Sequence, residues 1–222
     1  MTSRTAGTPP RQIPRFIAVE GPIGAGKTTL ARRLAASFGH ELVLELADEN
    51  PFLESFYRER ARNALATQLF FLIQRVRQVD AIRQADLFQS SRVTDFLIEK
   101  DRLFARLNLD ANEFELYETV FTRLVPSTPR PDLVIYLQAP VDTLLARVRM
   151  RGVRFEQSIP DEYLARLADA YARFFYQYED APLLIINSER LDFVHDASHF
   201  RMLLDRVASM RGRREFFNLG QG

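Results

Sequence analysis

Apolar positions along this chain fall into two kinds of run. Phe16-Ile17-Ala18-Val19 and Leu133-Val134-Ile135-Tyr136-Leu137 are short and continuous, the pattern of strands covered on both faces of a parallel sheet. Weaker runs at 41–46, 88–95 and 183–186 predict three more strands, the second of them carrying a polar Gln-Ser-Ser-Arg stretch. Elsewhere apolar residues recur every three or four positions. Leu30, Leu34 and Phe38 mark a helix over 28–38 that Gly39 stops. A helical pattern resumes at Leu53 and runs through 64–84, with Leu65, Leu69, Leu72, Ile73 and Val76 at helix spacing. Further helices are predicted over 104–124 (as one or two), 141–150, 163–178 and 197–210. Strands alternating with long helices indicate an α/β fold, a five-stranded parallel sheet flanked by helices.

Composition narrows this picture. The 222 residues are 46% hydrophobic and 27% charged, enough chain for one sizeable core, and no Gly/Ser/Pro-rich linker divides it. A single domain is expected over 15–210. Residues 1–14 hold Ser, Thr, Pro and Arg, no acid and no apolar periodicity, and read as a disordered tail rather than a transit peptide. Residues 211–222 read as a flexible tail. Thirty basic and 29 acidic residues leave a formal charge of +1, so no general attraction to nucleic acid or membrane follows. Phosphate binding must come from local clusters. The absence of Cys excludes disulfides and thiolate metal sites and fits a reducing, cytoplasmic setting. No apolar stretch approaches the roughly 18 residues of a membrane span.

One such cluster is Gly21-Pro22-Ile23-Gly24-Ala25-Gly26-Lys27-Thr28, which satisfies G-x-x-x-x-G-K-[ST] and is followed by Thr29. Glycines let the backbone curl so that successive N–H groups face phosphate oxygens, and the following helix adds the positive end of its dipole. Lys27 supplies charge to the β- and γ-phosphates, and the Thr28 hydroxyl suits Mg²⁺. The motif follows a predicted strand and opens a predicted helix, so a chance Gly-rich turn is the weaker reading. ATP with Mg²⁺ is the expected ligand. A GTPase switch needs D-x-x-G and N-K-x-D, and neither occurs. A hydrolysing ATPase usually carries an apolar strand ending in a carboxylate, whereas Leu133 to Leu137 runs into Gln138-Ala139. A small kinase remains. Arg147, Arg149, Arg151 and Arg154, with Gly152 among them, suit a lid over about 147–156 that closes on a triphosphate. A solvated helix face is the ordinary alternative for such a run. Arg151 is the first candidate for the transferring phosphate and Arg147 the second.

The sequence resembles the bacterial deoxyadenosine/deoxyguanosine kinases of the deoxynucleoside kinase family over residues 16 to 193. The matching stretches include Val19-Glu20-Gly21 into the P-loop, Glu45-Leu46-Ala47-Asp48-Glu49-Asn50-Pro51-Phe52-Leu53, and Thr67-Gln68. They continue with Thr94-Asp95-Phe96 running to Glu99-Lys100-Asp101, and with Pro131-Asp132 into the strand at 133–137. The resemblance implies transfer of a γ-phosphate to the 5′-hydroxyl of a deoxynucleoside, a purine favoured, in nucleotide salvage. It implies Glu45 as general base, Gln68 as the amide that reads the base, and Tyr57 with Glu156 at the sugar 3′-hydroxyl. Asp95 keeps the acidic, magnesium-directed part of a triplet whose arginine is missing here. Lys100 and Arg92 are the substitutes nearby, and spacing does not choose between them. A homodimer through two long helices is also implied.

Two rivals remain. A thymidylate kinase-like enzyme would need basic residues for a monophosphate acceptor beyond the second strand, where 42–53 holds acids and no Arg or Lys. A non-catalytic nucleotide-binding protein is disfavoured by intact Lys27, Thr28 and Glu45.

Overall fold

A computed structural model describes residues 13–86, 90–125 and 128–219. Its centre is a parallel sheet built from β1 (Phe16–Glu20), β2 (Glu41–Val43), β3 (Arg92–Thr94), β4 (Leu133–Gln138), β5 (Leu183–Asn187) and β6 (Arg214–Phe217). The strands lie in the order β2-β3-β1-β4-β5-β6, every pair parallel. The helices are α1 (Lys27–Phe38), α2 (Leu53–Arg58), α3 (Arg60–Asp86), α4 (Lys100–Asn108), α5 (Ala111–Leu124), α6 (Val141–Arg151), α7 (Asp161–Tyr176) and α8 (Ala197–Ser209).

Burial explains the continuous apolar strands. Ile17 to Val19, Leu133 to Leu137 and Leu183 to Ile186 are buried at every successive position, so both faces of the central strands are covered. A second apolar cluster joins Leu72, Val79 and Ile82 of α3 to Phe96, Ile98, Tyr117 and Phe121, and braces α3 against α4 and α5.

The sheet corrects the expected strand count from five to six. The added strand, β6, lies inside the stretch 211–222 read as a flexible tail, and it pairs Leu183 with Arg214 through Ile186 with Phe217. Two charged residues followed by two phenylalanines are too short and too polar at one end to announce a strand. Elsewhere the boundaries move. The second strand was expected over 41–46, but pairing stops at Val43 and the chain leaves the sheet. The third was expected over 88–95 and is observed at Arg92–Thr94, with residues 87–89 outside the described ones. Most of the expected tail 1–14 also lies outside them.

Sheet topology fixes where a ligand can sit. From β1 the chain goes to β2, returns to β3 between the two, and then crosses to β4 on the far side of β1. Connections therefore reverse direction beside β1, and the crevice at the carboxyl ends of the strands opens there. Glu20, the last residue of β1, leads directly into the glycine loop. No helix among the described residues is long and apolar enough to cross a membrane.

Candidate active site

The glycine loop joins β1 to α1, and its shape excludes side chains. At Gly24, φ is +83° and an added Cβ would lie 2.6 Å from Leu144 O. At Gly26, φ is +94° and a Cβ would meet the Phe193 ring at 3.0 Å. Gly24 thus requires glycine on conformational and steric grounds alike, and Gly26 on conformational ones. Pro22 O accepts from Ala25 N at 3.1 Å and from Lys27 Nζ at 3.2 Å, so the lysine lies back across the loop. Burial, with Lys100 nearby, lowers the Lys27 pKa. Gly21, Pro22 and Ala25 form the buried back of the turn, while Ile23, Gly24, Gly26, Lys27, Thr28 and Thr29 line the cleft. Such a cradle at a helix N-terminus fits a polyphosphate.

Glu45 faces this cradle from the opposite wall. It lies two residues beyond β2, where no ladder holds the backbone, and side chains hold it instead. Glu45 N donates to Asp95 Oδ1 at 2.7 Å. From α3, Gln78 Nε2 donates to Leu44 O at 2.6 Å and Gln74 Nε2 donates to Leu46 O at 3.1 Å. The residue is thus pinned on both sides by amides of one helix. Its carboxylate is held between Arg75, an ion pair to Oε1, and Lys100, whose Nζ donates to Oε2 at 3.1 Å. Burial opposes ionisation of Glu45, but Arg75, Lys100 and Lys27 outweigh it and hold the pKa at about 2. The carboxylate is therefore charged at neutral pH.

Asp95 connects the two walls. Besides accepting from Glu45 N, it accepts from Thr28 Oγ1 at 2.5 Å through Oδ2. A hydroxyl and a carboxylate so placed, beside a phosphate cradle, form a donor set that suits Mg²⁺, which takes one or two protein oxygens and completes its shell with phosphate and water. Among the described residues no group of three His, Cys, Asp or Glu stands ready to hold a metal alone.

The other expected residues come from α2, α3, α6 and the turn that follows it. Gln68 is 2% exposed on α3, and its Oε1 has no hydrogen-bond partner among the described residues. Tyr57, on α2, stacks on Phe155 at 6.2 Å with an interplanar angle of 5°. Burial, with Tyr163 and Glu156 close by, raises its pKa well above the usual phenol range. Glu156 begins a single turn of 3₁₀ helix and is ion-paired with Arg151 at the end of α6. Tyr57, Gln68, Arg151 and Glu156 all line the same cleft as Glu45. Arg147 does not: it donates to Ser188 O at 2.6 Å and to Ser188 Oγ at 3.2 Å.

Two cations at Glu45 were not assigned from sequence. Arg75 is 3% exposed and also pairs with the buried Asp101 at 2.7 Å. The available signal was its spacing of seven from Gln68, two turns along one helix face. Of the two candidates for the missing arginine, Arg92 is turned to Ile82 O at 2.7 Å and Ser90 O at 3.1 Å, whereas Lys100 reaches Glu45.

An all-parallel sheet whose first strand runs into a glycine cradle, with lysine and threonine opening the next helix, defines a P-loop kinase fold. Comparison with known proteins narrows the class. A family model described as deoxynucleoside kinase matches residues 17–210. A deoxyguanosine kinase of Bacillus subtilis is 34% identical, over 88% of this chain and 97% of the relative. A deoxyadenosine kinase of Lactobacillus acidophilus is 32% identical, over 87% and 94% respectively. A solved deoxyadenosine kinase from M. mycoides with bound dATP shares the fold at a TM-score of 0.76 and 24% identity, covering 89% of this chain and all of that one. The chain belongs to the deoxynucleoside kinase family. It is accordingly a phosphotransferase that uses a nucleotide and acts on nucleosides.

Proposed function

We propose that this enzyme transfers the γ-phosphate of ATP to the 5′-hydroxyl of a deoxynucleoside, deoxyadenosine or deoxyguanosine preferred, in cytoplasmic nucleotide salvage. The observation that carries the reading is Glu45, an ionised carboxylate facing the glycine cradle and linked to it through Asp95 and Thr28. The purine preference draws on the relatives' names, deoxyguanosine and deoxyadenosine kinase.

In this reading the loop amides and Lys27 hold the β- and γ-phosphates, and the acceptor sugar lies between Glu45 and Tyr57. Glu45 accepts a hydrogen bond from the 5′-hydroxyl, orients the oxygen in line with the phosphorus, and receives its proton as the bond forms. A carboxylate near pKa 2 is a weak base, so orientation is its larger contribution, as suits a loose transition state in which proton transfer comes late. Mg²⁺, when bound through Thr28 and Asp95, neutralises phosphate charge. Tyr57 and Glu156 take the 3′-hydroxyl, and Gln68 presents donor and acceptor to the base edge. Arg151, released from Glu156, meets the transferring phosphate, whereas Arg147, engaged by Ser188 outside the cleft, stays out of that contact. Assembly as a homodimer belongs to the same reading, with exposed Ile73 on α3 and Leu116 on α5 as surface to be covered.

The test is a panel of four deoxynucleosides and their 5′-monophosphates incubated with Mg²⁺ and either ATP or GTP, with products resolved by chromatography. ADP and a purine 5′-monophosphate are expected to form fastest in the ATP arms. Tight ATP binding without product from any nucleoside would make the protein a binding module, and phosphorylation only of an added monophosphate would make it a nucleoside monophosphate kinase.

A further inference from the structure

Lys100 occupies a place that a lysine does not take for stability alone. It is 2% exposed, and burying an ammonium is costly unless it is paired. It is also the first residue of α4, where the helix dipole disfavours a cation. Yet its charge is retained, because Glu20 and Glu45 outweigh the effect of burial and raise its pKa. Glu20 alone does not need it: that carboxylate already accepts from Leu97 N at 2.7 Å, Gly21 N at 3.1 Å and Tyr171 Oη at 3.1 Å, and it lies farther from Lys100 Nζ, at 3.5 Å, than Glu45 does. The tighter contact, at 3.1 Å, is to Glu45 Oε2.

That contact completes a two-point hold on one carboxylate. Arg75 fixes Oε1 and is itself locked by Asp101, the residue after Lys100. Consecutive residues of α4 therefore set the angle of the Glu45 carboxylate, one directly and the other through Arg75. Phe96, immediately after Asp95, is 3% exposed in the apolar cluster under α3 and supplies no charge.

We propose that Lys100 is a positioning residue for phosphoryl transfer, acting through Glu45 by fixing the Oε2 side of the carboxylate toward the acceptor hydroxyl. This rests on the reading of Glu45 given above. Without the ammonium the carboxylate pivots on Arg75, and misplacement of a reacting group by about 1 Å costs on the order of 10²-fold in rate.

A double-mutant cycle tests it. Lys100→Met and Lys100→Arg are made in the wild-type and in the Glu45→Gln background, and kcat and nucleoside KM are measured with thermal melts of every variant. In the wild-type background Lys100→Met is expected to lower kcat by about 10²-fold with little change in KM, and Lys100→Arg to recover most of that loss. In the Glu45→Gln background the same changes should cost little more, because no carboxylate remains to be aimed. Equal loss in both backgrounds, or a loss confined to KM, overturns the proposal. Should Lys100→Met melt below the assay temperature, Lys100→Gln, which keeps a polar head and removes the charge, carries the cycle: its loss must shrink in the Glu45→Gln background, and an undiminished loss, or none in the wild-type background, overturns the proposal. Full activity of Glu45→Gln alone would instead remove Glu45 as the base, so the two readings fail separately.

Discussion

At Gln68 a buried side-chain carbonyl meets the cleft without a hydrogen-bond partner among the described residues. An unsatisfied buried acceptor costs roughly 1–3 kcal/mol. A residue kept at that cost in a core position is more readily explained by ligand recognition than by packing. Gln68→Met, similar in volume and without the carbonyl, is therefore expected to hold or raise the melting temperature. The same change should raise nucleoside KM about tenfold or more, by loss of hydrogen bonds worth ~1–3 kcal/mol, and narrow the difference between bases. A lower melting temperature with unchanged base selectivity would return Gln68 to the core. Residues of this kind were legible in the sequence to unequal degrees. Lys27 and Thr28 announce themselves through a loop motif whose spacing is set by the backbone. Glu45, Tyr57 and Gln68 emerged only through resemblance, because nothing in local chemistry separates Glu45 from Asp48 or Glu49 a few positions on. Arg75 was hidden among the arginines of a long helix, where burial, not identity, marks it.

The elements show why side-chain support matters as much as regular pairing. The segment 44–46 leaves the sheet just before it delivers Glu45, and amides of α3 replace the missing ladder. A sequence pattern reads strand there because Leu42, Val43, Leu44 and Leu46 are apolar, but pairing depends on a neighbour, and β3 offers only three residues. α3 was equally hard to read, since it buries Gln68, Gln74 and Arg75 along with Leu72, and Ile73, one of the expected apolar positions, is 42% exposed. Its support comes in part from α5, whose start is fixed by a capping box: Asp110 Oδ1 accepts from Glu113 N at 2.9 Å, and Asp110 N donates to Glu113 Oε2 at 3.2 Å. Asp110→Ala is expected to destabilise the protein by about 1 kcal/mol. For a chain of this size that is a fall of roughly 2–4 °C in melting temperature. Turnover at 25 °C should be unchanged, because the cap lies outside the cleft. Differential scanning calorimetry beside a rate assay checks both, and an unaltered melt would mean the box contributes nothing.

For the molecule as a whole, the parallel sheet and the position of the phosphate loop followed from strand–helix alternation, and the closing edge did not. β6 is short, begins with Arg214 and Glu215, and leaves Phe216 62% exposed, which are properties of an edge and resemble those of a tail. Its attachment is specific nonetheless. Arg213 and Arg214 donate to Glu179 O and Tyr178 O, each at 2.8 Å, at the turn before β5. Glu215 accepts from Gly212 N at 2.7 Å and from Arg211 N at 3.0 Å, and pairs with Arg206 of α8 at 2.9 Å. β6 therefore ties α8 to the sheet and covers the strand β5, which is buried from Leu183 to Ile186 and would otherwise present an open, apolar edge. Ending the chain after Met210 removes a four-residue ladder and these ties, a loss we place at about 3 kcal/mol if each backbone bond contributes ~1 kcal/mol. The melting temperature should fall by roughly 6–12 °C, and light scattering should show concentration-dependent association through the uncovered edge. A control chain ending after Leu219 keeps every contact of the strand among the described residues and is the reference for that fall. If the shorter chain melted with the control and stayed monodisperse under the same conditions, β6 would be an ornament on a sheet already complete at five strands.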